Sequence, residues 1–318
     1  GQRNSQEGYM TLRSQAISGV KWTSLSMVMT TVLRFATLAI LARLLSPEDF
    51  GLMGMVTVVT GFAMAFADMG LSNAIIQRQQ TSRGQLSSLY WANLMAGTAI
   101  CAAIFISTPL VVGFYKEPRL TGILRLAALG FLIIPFGQQF QALLQKNLQF
   151  NILARVEILA VACGSGASIG FALGGWGVYS LVLGQLINSA VRTLNLLLIG
   201  LRTARPSWHF DWRDLKDYFG FGAYQMGERA VNYFGANLDT LLIGRFLGAE
   251  ALGFYSLAYR LVILPLVYIN PVITRVAFPT FAKIQEDNNR LRNAYLKMMS
   301  MLSLAISPIV IGFFAIAH

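Results

Sequence analysis

"LARLLSPEDFGL" occupies residues 41–52 and "IGRFLGAEALGF" residues 243–254. In register, Arg43 pairs with Arg245, Leu45 with Leu247, Glu48 with Glu250 and Gly51 with Gly253, all at an offset of 202 residues. The first stretch reads as a helix end, a tight turn and a new helix. Ser46 suits an N-cap, Pro47 the first helical position, and Glu48 and Asp49 the positive end of the helix that follows. Arg43 complements the carbonyl end of the helix before it. Taken singly, each charge does no more than terminate a helix. Their recurrence six apolar segments later points to a parallel duplication, two lobes on one plan, as in transporters whose halves face one another across a central pathway.

The apolar segments follow from composition. Of 318 residues, 55% are hydrophobic and only 12% charged, with a mean hydropathy of +0.56. That is more apolar surface than a soluble core of this size can hide. Nine runs, each long enough to cross about 30 Å of hydrocarbon as a helix, lie near 17–44, 49–76, 85–112, 119–144, 150–174, 177–200, 218–247, 250–281 and 293–317. The expected fold is an all-α integral membrane protein, a two-lobed helical bundle from a parallel six-helix repeat. The expected domains are a cytoplasmic N-terminal segment (1–16), an N-lobe of six transmembrane helices (17–200), a cytoplasmic amphipathic linker (201–217) and the first three helices of an incomplete C-lobe (218–318). The first apolar run is too long for a cleaved signal peptide. Cys101 and Cys163 lie inside apolar runs, so neither a disulfide framework nor a metal site is expected, and no cofactor is implied.

Basic residues set the orientation. One set of connections holds Lys116 and Arg119, with Arg43 and Arg245 at helix ends. The N-terminus and the other set hold Arg3, Arg13, Lys21, Arg78, Arg83, Lys146, Arg202, Arg205, Arg213, Lys216, Lys283, Arg290 and Arg292. That bias places the N-terminus in the cytoplasm. The net charge of +11 is then accounted for by orientation, by anionic lipid headgroups and by charge inside the spans, with no call for nucleic acid. Between the lobes, Trp208, Phe210, Trp212, Leu215 and Phe219 alternate with charges, an amphipathic pattern for the membrane interface that Asp211 could cap as a short helix. His209 among these tryptophans reads as interfacial, not catalytic.

Charges within spans are costly, about 2.5 to 3.5 kcal/mol each at a helix centre. Arg34, Arg125, Arg155, Arg192, Arg229, Arg260 and Arg275 exceed the four carboxylates Asp68, Glu157, Glu228 and Asp239 by three. An interior with surplus cations wants an anionic ligand. Gln185, Asn188 and Arg192 share one helical stripe, and Gln225, Glu228, Asn232 and Asp239 another; interhelical hydrogen bonding is the structural reading of both. Pro135 beside Gly137, and Pro265, Pro271 and Pro279, mark places where helices can bend.

"ISGVKW" (17–22), "FADMGLSNAIIQRQ" (66–79), "LYWANL" (89–94), "IIPFGQQFQALLQKNLQFN" (133–151), "INSAVRTL" (187–194) and "INPVITRVAFPTFAKIQ" (269–285) resemble the Wzx-type polysaccharide flippases. The likeness is to the colanic-acid and teichuronic-acid exporter branch, within the multidrug, oligosaccharidyl-lipid and polysaccharide exporter superfamily. It runs in order from about residue 11 to the end. The resemblance implies a V-shaped, two-lobed transporter, not an enzyme, that turns undecaprenyl-pyrophosphate-linked oligosaccharides across the bacterial inner membrane by alternating access, for exopolysaccharide or lipopolysaccharide export. A proton or sodium gradient would drive it. Family members are longer, which is why the second lobe is expected to be incomplete. The implied partners are the lipid-linked oligosaccharide, membrane lipids and other polysaccharide assembly proteins.

The pyrophosphate and glycan candidates are Arg34, Arg125, Gln185, Asn188, Arg192, Arg260 and Arg275; the ion-coupling candidates are Asp68, Glu228 and Asp239. Arginine suits phosphate because its planar fork bonds bidentately and stays charged when buried. The structural alternative is that these arginines only neutralise carboxylates such as Asp68 or Glu157. An ion-coupled drug antiporter of the same superfamily would share the architecture with a less cationic cavity. A membrane polysaccharide polymerase or ligase would carry a sizeable outer loop, and the outer connections here are short.

Overall fold

The structure, a computed structural model, describes residues 2–67, 82–203, 206–208, 210–211, 213–260, 262–263 and 288–316. All described secondary structure is helical. The helices are α1 (Gln2–Leu44), α2 (Pro47–Ala67), α3 (Arg83–Tyr115), α4 (Leu120–Ala128), α5 (Gly130–Ile133), α6 (Pro135–Lys146), α7 (Phe150–Leu173), α8 (Val178–Thr203), α9 (Arg213–Phe246), α10 (248–260) and α11 (Asn288–Ile316). Five have segments long and apolar enough to cross a bilayer, in α1, α2, α3, α7 and α8, and α4–α5 with α6 makes a sixth, bent by 46°. These match the first six expected spans over the described residues; residues 68–76 of the second lie outside them. The expected seventh and ninth fall on the helices α9 and α11, which are not among these six, and residues 261 and 264–281 of the eighth lie outside the described residues.

The bend falls at Pro135, whose ring removes a backbone donor and crowds the preceding turn. Two boundaries differ from expectation. Helix α1 starts at Gln2, so the polar N-terminal segment continues the first span as one helix of 43 residues. The amphipathic stretch from Arg213 to Phe219 is not a separate short helix; it is the beginning of α9. A helix already nucleated by a long apolar run extends at little further cost.

The chain divides into two compact units, Gly1–Gly253 and Phe254–His318. In the first, α7 packs along both α1 and α8, and α2 packs along α9. The α7–α8 crossing is close because Gly164 and Gly184 face each other's helices, a small-residue contact typical of membrane bundles. Tyr90, Phe140, Leu144, Val156 and Leu196 knit α3, α6, α7 and α8 into one core. Ile106, Leu110, Leu194 and Leu198 are exposed and coat the outside with apolar surface, as lipid contact requires. In the second unit, Tyr255 and Tyr259 stack one turn apart with ring centroids 5.7 Å apart, and Pro308 lies inside α11.

The two turns of like sequence are capped differently. Ser46 and Asp49 cap α2 reciprocally: the Asp49 carboxylate accepts from the Ser46 amide at 3.0 Å and hydroxyl at 2.8 Å, and the Asp49 amide donates to the Ser46 hydroxyl at 3.3 Å. In the second turn Gly248 stands where Ser46 stands in the first, at φ +87°, a left-handed conformation that glycine adopts freely. The two turns then pack on each other. A methyl group at Gly51 would overlap the Ala249 carbonyl oxygen and lie 3.0 Å from its Cα; one at Gly253 would overlap the Pro47 carbonyl oxygen and lie 3.2 Å from its Cα. At the offset of 202 residues Ala249 corresponds to Pro47 and Gly253 to Gly51, so the contact is self-complementary, like an isologous interface folded into one chain.

The same end of the first unit holds the ion pair of Arg119 with Glu48 and the ring of Phe114 under the Arg245 guanidinium at 5.4 Å. The hydrogen bond with Glu48 pushes the Arg119 guanidinium further above its usual range. Both side chains are about half exposed, 53% and 43%, so the pair orients the turn more than it stabilises the fold. At the opposite end the linker docks on α3. The Ser207 amide donates to the Ser87 hydroxyl at 2.9 Å, the Trp91 indole to the Ser207 carbonyl at 3.0 Å, and Trp208 stacks on Trp91 at 5.0 Å.

Candidate functional site

Glu157 on α7 holds two guanidinium groups at once. One carboxylate oxygen lies 3.5 Å from Nη2 of Arg34 on α1, the other 3.3 Å from Nη2 of Arg192 on α8. The same Arg192 nitrogen donates to Oε1 of Gln141 on α6 at 3.2 Å. Four helices thus converge on one charge cluster, because α7 is wedged between α1 and α8. Ala154, Val156, Ala160 and Val161 fill the buried faces of α7, and Glu157 is left at the edge, 27% exposed. Two guanidinia against one carboxylate leave one surplus positive charge. Away from bulk water such a surplus acts at long reach and is costly until an anion meets it.

Beside the cluster lies a cavity of about 330 Å³, its polar lining drawn from Thr23, Ser26 and Thr30 of α1, Gln141 and Gln145 of α6, and Arg192. The Thr30 hydroxyl donates to the Ser26 carbonyl at 2.7 Å. Glu157 also faces this space. A fixed guanidinium fork, neutral amides and hydroxyls at its rim are the chemistry of phosphate and sugar recognition.

Of the predicted substrate residues, the structure brings Arg34 and Arg192 together. Gln185 lines a separate cavity of about 160 Å³ with Thr57, Thr60 and Ser189. Asn188 sits at the α7–α8 crossing, where a methyl group on Gly164 would come 2.7 Å from its Cβ. Residues 185 and 192 are about 10 Å apart along a helix, so one stripe serves three places. Arg125 is exposed on α4, 6.0 Å from the Phe105 ring centroid. Arg155 lies 5.5 Å from the Trp22 ring centroid. Arg260 is exposed near the end of described α10, and Arg275 lies outside the described residues. Among the ion-coupling candidates, Glu228 is exposed on α9, the Asp239 carboxylate accepts from the Thr240 amide at 2.7 Å, and Asp68 lies outside the described residues.

Gln141 carried no signal in sequence, one glutamine among several on α6. Glu157 was visible as a carboxylate within a span; its sharing between two arginines was not. Nor was a third cavity, apolar and of about 490 Å³, where α2, α3 and α9 meet, walled by Phe62, Leu110, Phe114, Tyr233 and Phe234. There the Tyr233 hydroxyl donates to the Thr57 carbonyl at 2.9 Å and Phe62 meets Phe234 edge to face at 5.2 Å.

A sequence profile of the family described as "Polysaccharide biosynthesis protein" matches residues 40–318. The chain belongs to this family. It is 40% identical over 96% of its length to the teichuronic acid biosynthesis protein TuaB of Bacillus subtilis strain 168 and 36% identical over 97% to the lipopolysaccharide biosynthesis protein WzxC of Escherichia coli strain K12. It is 28% identical over 94% to the succinoglycan biosynthesis transport protein ExoT of Rhizobium meliloti strain 1021. The chain spans 64%, 63% and 60% of those relatives, under two thirds of each. Its fold matches a solved multidrug resistance MATE family transporter of the MOP superfamily, described as inward-facing, with TM-score 0.65 and 20% identity over 93% of this chain and 73% of that one. This family member is therefore a multi-pass helical membrane protein with a MATE-like fold.

Proposed function

We propose that the chain is part of a flippase that carries an undecaprenyl-pyrophosphate-linked oligosaccharide across the bacterial cytoplasmic membrane by alternating access, for polysaccharide export. The observation that carries this reading is the Arg34–Glu157–Arg192 cluster beside a polar cavity within a bundle of bilayer-crossing helices. A drug-type cavity needs no such cationic surplus; a pyrophosphate does. Relatives named for teichuronic acid, lipopolysaccharide and succinoglycan biosynthesis support a glycan cargo. The nine-helix plan, the parallel six-helix repeat with its N-lobe at 17–200 and C-lobe from 218, and a cytoplasmic N-terminus belong to the same proposal. The packed duplicated turns would then close the outer side. Arg125, Gln185, Asn188, Arg260 and Arg275 extend the path of the headgroup and glycan. Asp68, Glu228 and Asp239 are the coupling carboxylates, because a charge within a span is retained for function.

The experiment purifies the intact protein and identifies copurifying lipids by mass spectrometry, then follows flipping in proteoliposomes under imposed proton or sodium gradients. Polyprenyl pyrophosphates bearing sugars should copurify, and Glu228→Gln or Asp239→Asn should weaken the gradient dependence. Copurification of ordinary phospholipids alone, with no flipping of added lipid-linked glycan, would overturn the function. Unchanged gradient dependence in both variants would remove those two residues from coupling.

A further inference from the structure

We infer that Glu157 is a resident counter-anion that holds the Arg34 and Arg192 guanidinia in place until the phosphate of an incoming polyprenyl pyrophosphate displaces it. The inference rests on the flippase reading above and assigns one subsite and one exchange step within it.

The geometry is that of an exchangeable anion. The carboxylate uses a different oxygen for each arginine, at 3.5 and 3.3 Å, both longer than a tight charge-assisted hydrogen bond of about 2.7–2.9 Å. Neither pair is locked in a two-pronged arrangement. Arg192 is held from a second side by neutral Gln141, so it keeps its orientation when the carboxylate leaves. Glu157 and Arg192 both face the 330 Å³ cavity, where an anion entering from that side meets the guanidinium without crossing a packed helix. Arg34 is 66% exposed and can follow the incoming charge.

Other charges near the cluster do not compete. Among the described residues, Arg34 from α1 and Arg192 from α8 are the cations within ion-pair distance of Glu157. Arg155 on α7 is placed over Trp22 instead. A pyrophosphate carries more charge and more oxygens than one carboxylate and can engage both guanidinia. The exchange therefore releases Glu157 only when the correct charge is present. Until then the carboxylate leaves the empty protein one surplus cation among its spans instead of two.

The same chemistry could be supplied by a free phosphate, so the test uses two probes. The intact protein in phosphatidylcholine nanodiscs is titrated with undecaprenyl pyrophosphate added to the disc and, separately, with inorganic pyrophosphate in solution. Glu157→Gln keeps the side chain's size and one oxygen that can accept from an arginine, while it removes the charge and replaces the second carboxylate oxygen by an NH2 donor. It should bind the lipid probe about fivefold more tightly, the ratio expected when a partly exposed ionic competitor is lost, with a smaller gain for the soluble probe. Glu157→Asp, one methylene shorter and unable to reach both arginines, should give an intermediate gain and serves if the glutamine variant does not assemble. Arg192→Ala should weaken binding of the lipid probe. Unchanged or weaker binding in Glu157→Gln or Glu157→Asp, while Arg192→Ala still weakens it, would overturn the exchange and leave Glu157 a structural counterion. A gain for inorganic pyrophosphate equal to or larger than that for the lipid would overturn the polyprenyl assignment. Wild-type binding by Arg192→Ala would instead overturn the arginine site itself.

Discussion

At Gly51 the absence of a side chain has a definite mechanical meaning. Its Cα faces the Ala249 backbone so closely that any Cβ would overlap the carbonyl oxygen, and Gly253 repeats the arrangement against Pro47. The alanine of Gly51→Ala would have to push the two turns apart, at a cost of about 1–3 kcal/mol for overpacking a tight contact. Gly253→Ala should cost a similar amount, since the contact is self-complementary. Gly166 on α7 is the control: nothing lies within 4 Å of a Cβ built there, and alanine at an open helical position stabilises by about 0.5–1 kcal/mol relative to glycine. Thermal unfolding of the three purified variants in detergent should therefore move in opposite directions, down for positions 51 and 253 and up for 166. A change of the same sign at all three would mean that the turns yield without cost.

Among elements, those governed by neighbours in sequence were legible before the structure. The α1–α2 turn was readable in full because Ser46, Pro47 and Asp49 act within one helical turn of each other. The bend at Pro135 was readable for the same reason. What sequence could not give was which helix faces which. Glu157 meets Arg34 across 123 residues and Arg192 across 35, and only the wedging of α7 between α1 and α8 brings them together. A shared helical stripe also misled, since Gln185 and Arg192 serve separate cavities. The legible element is the easier to test. Ser46→Ala removes the hydroxyl that accepts from the Asp49 amide, a loss of about 1 kcal/mol of cap stability, whereas Ser46→Thr retains it. Amide hydrogen exchange should quicken across residues 48–50 in the alanine variant and stay near wild type with threonine. Equal protection in both would show that packing against the second turn, and not the cap, holds the start of α2.

For the whole molecule, the two turns of like sequence matter because they pack side by side. If the chain works by alternating access as proposed, this contact, in which each turn ends in a glycine that admits the other's backbone, would open and close as a unit and serve as the outer gate. Leu252, next to Gly253 in sequence, is fully buried and corresponds to Phe50 at the offset of 202 residues. Cysteines introduced singly at Ser46, Gly248, Ser207 and Leu252 in an otherwise cysteine-free protein would report both topology and motion through a membrane-impermeant maleimide applied to intact cells. Ser46→Cys and Gly248→Cys should label, as outer-side turns; Ser207→Cys, at the opposite end beside Ser87 and Trp91, should not. Leu252→Cys should label slowly, and faster when Gly51→Ala is added, because the methyl group that pries the turns apart raises the population in which position 252 is reached. Labelling of all three turn positions from one side would refute the topology. Labelling of Ser46→Cys and Gly248→Cys with a Leu252→Cys rate that Gly51→Ala leaves unchanged would keep the topology and refute the gate.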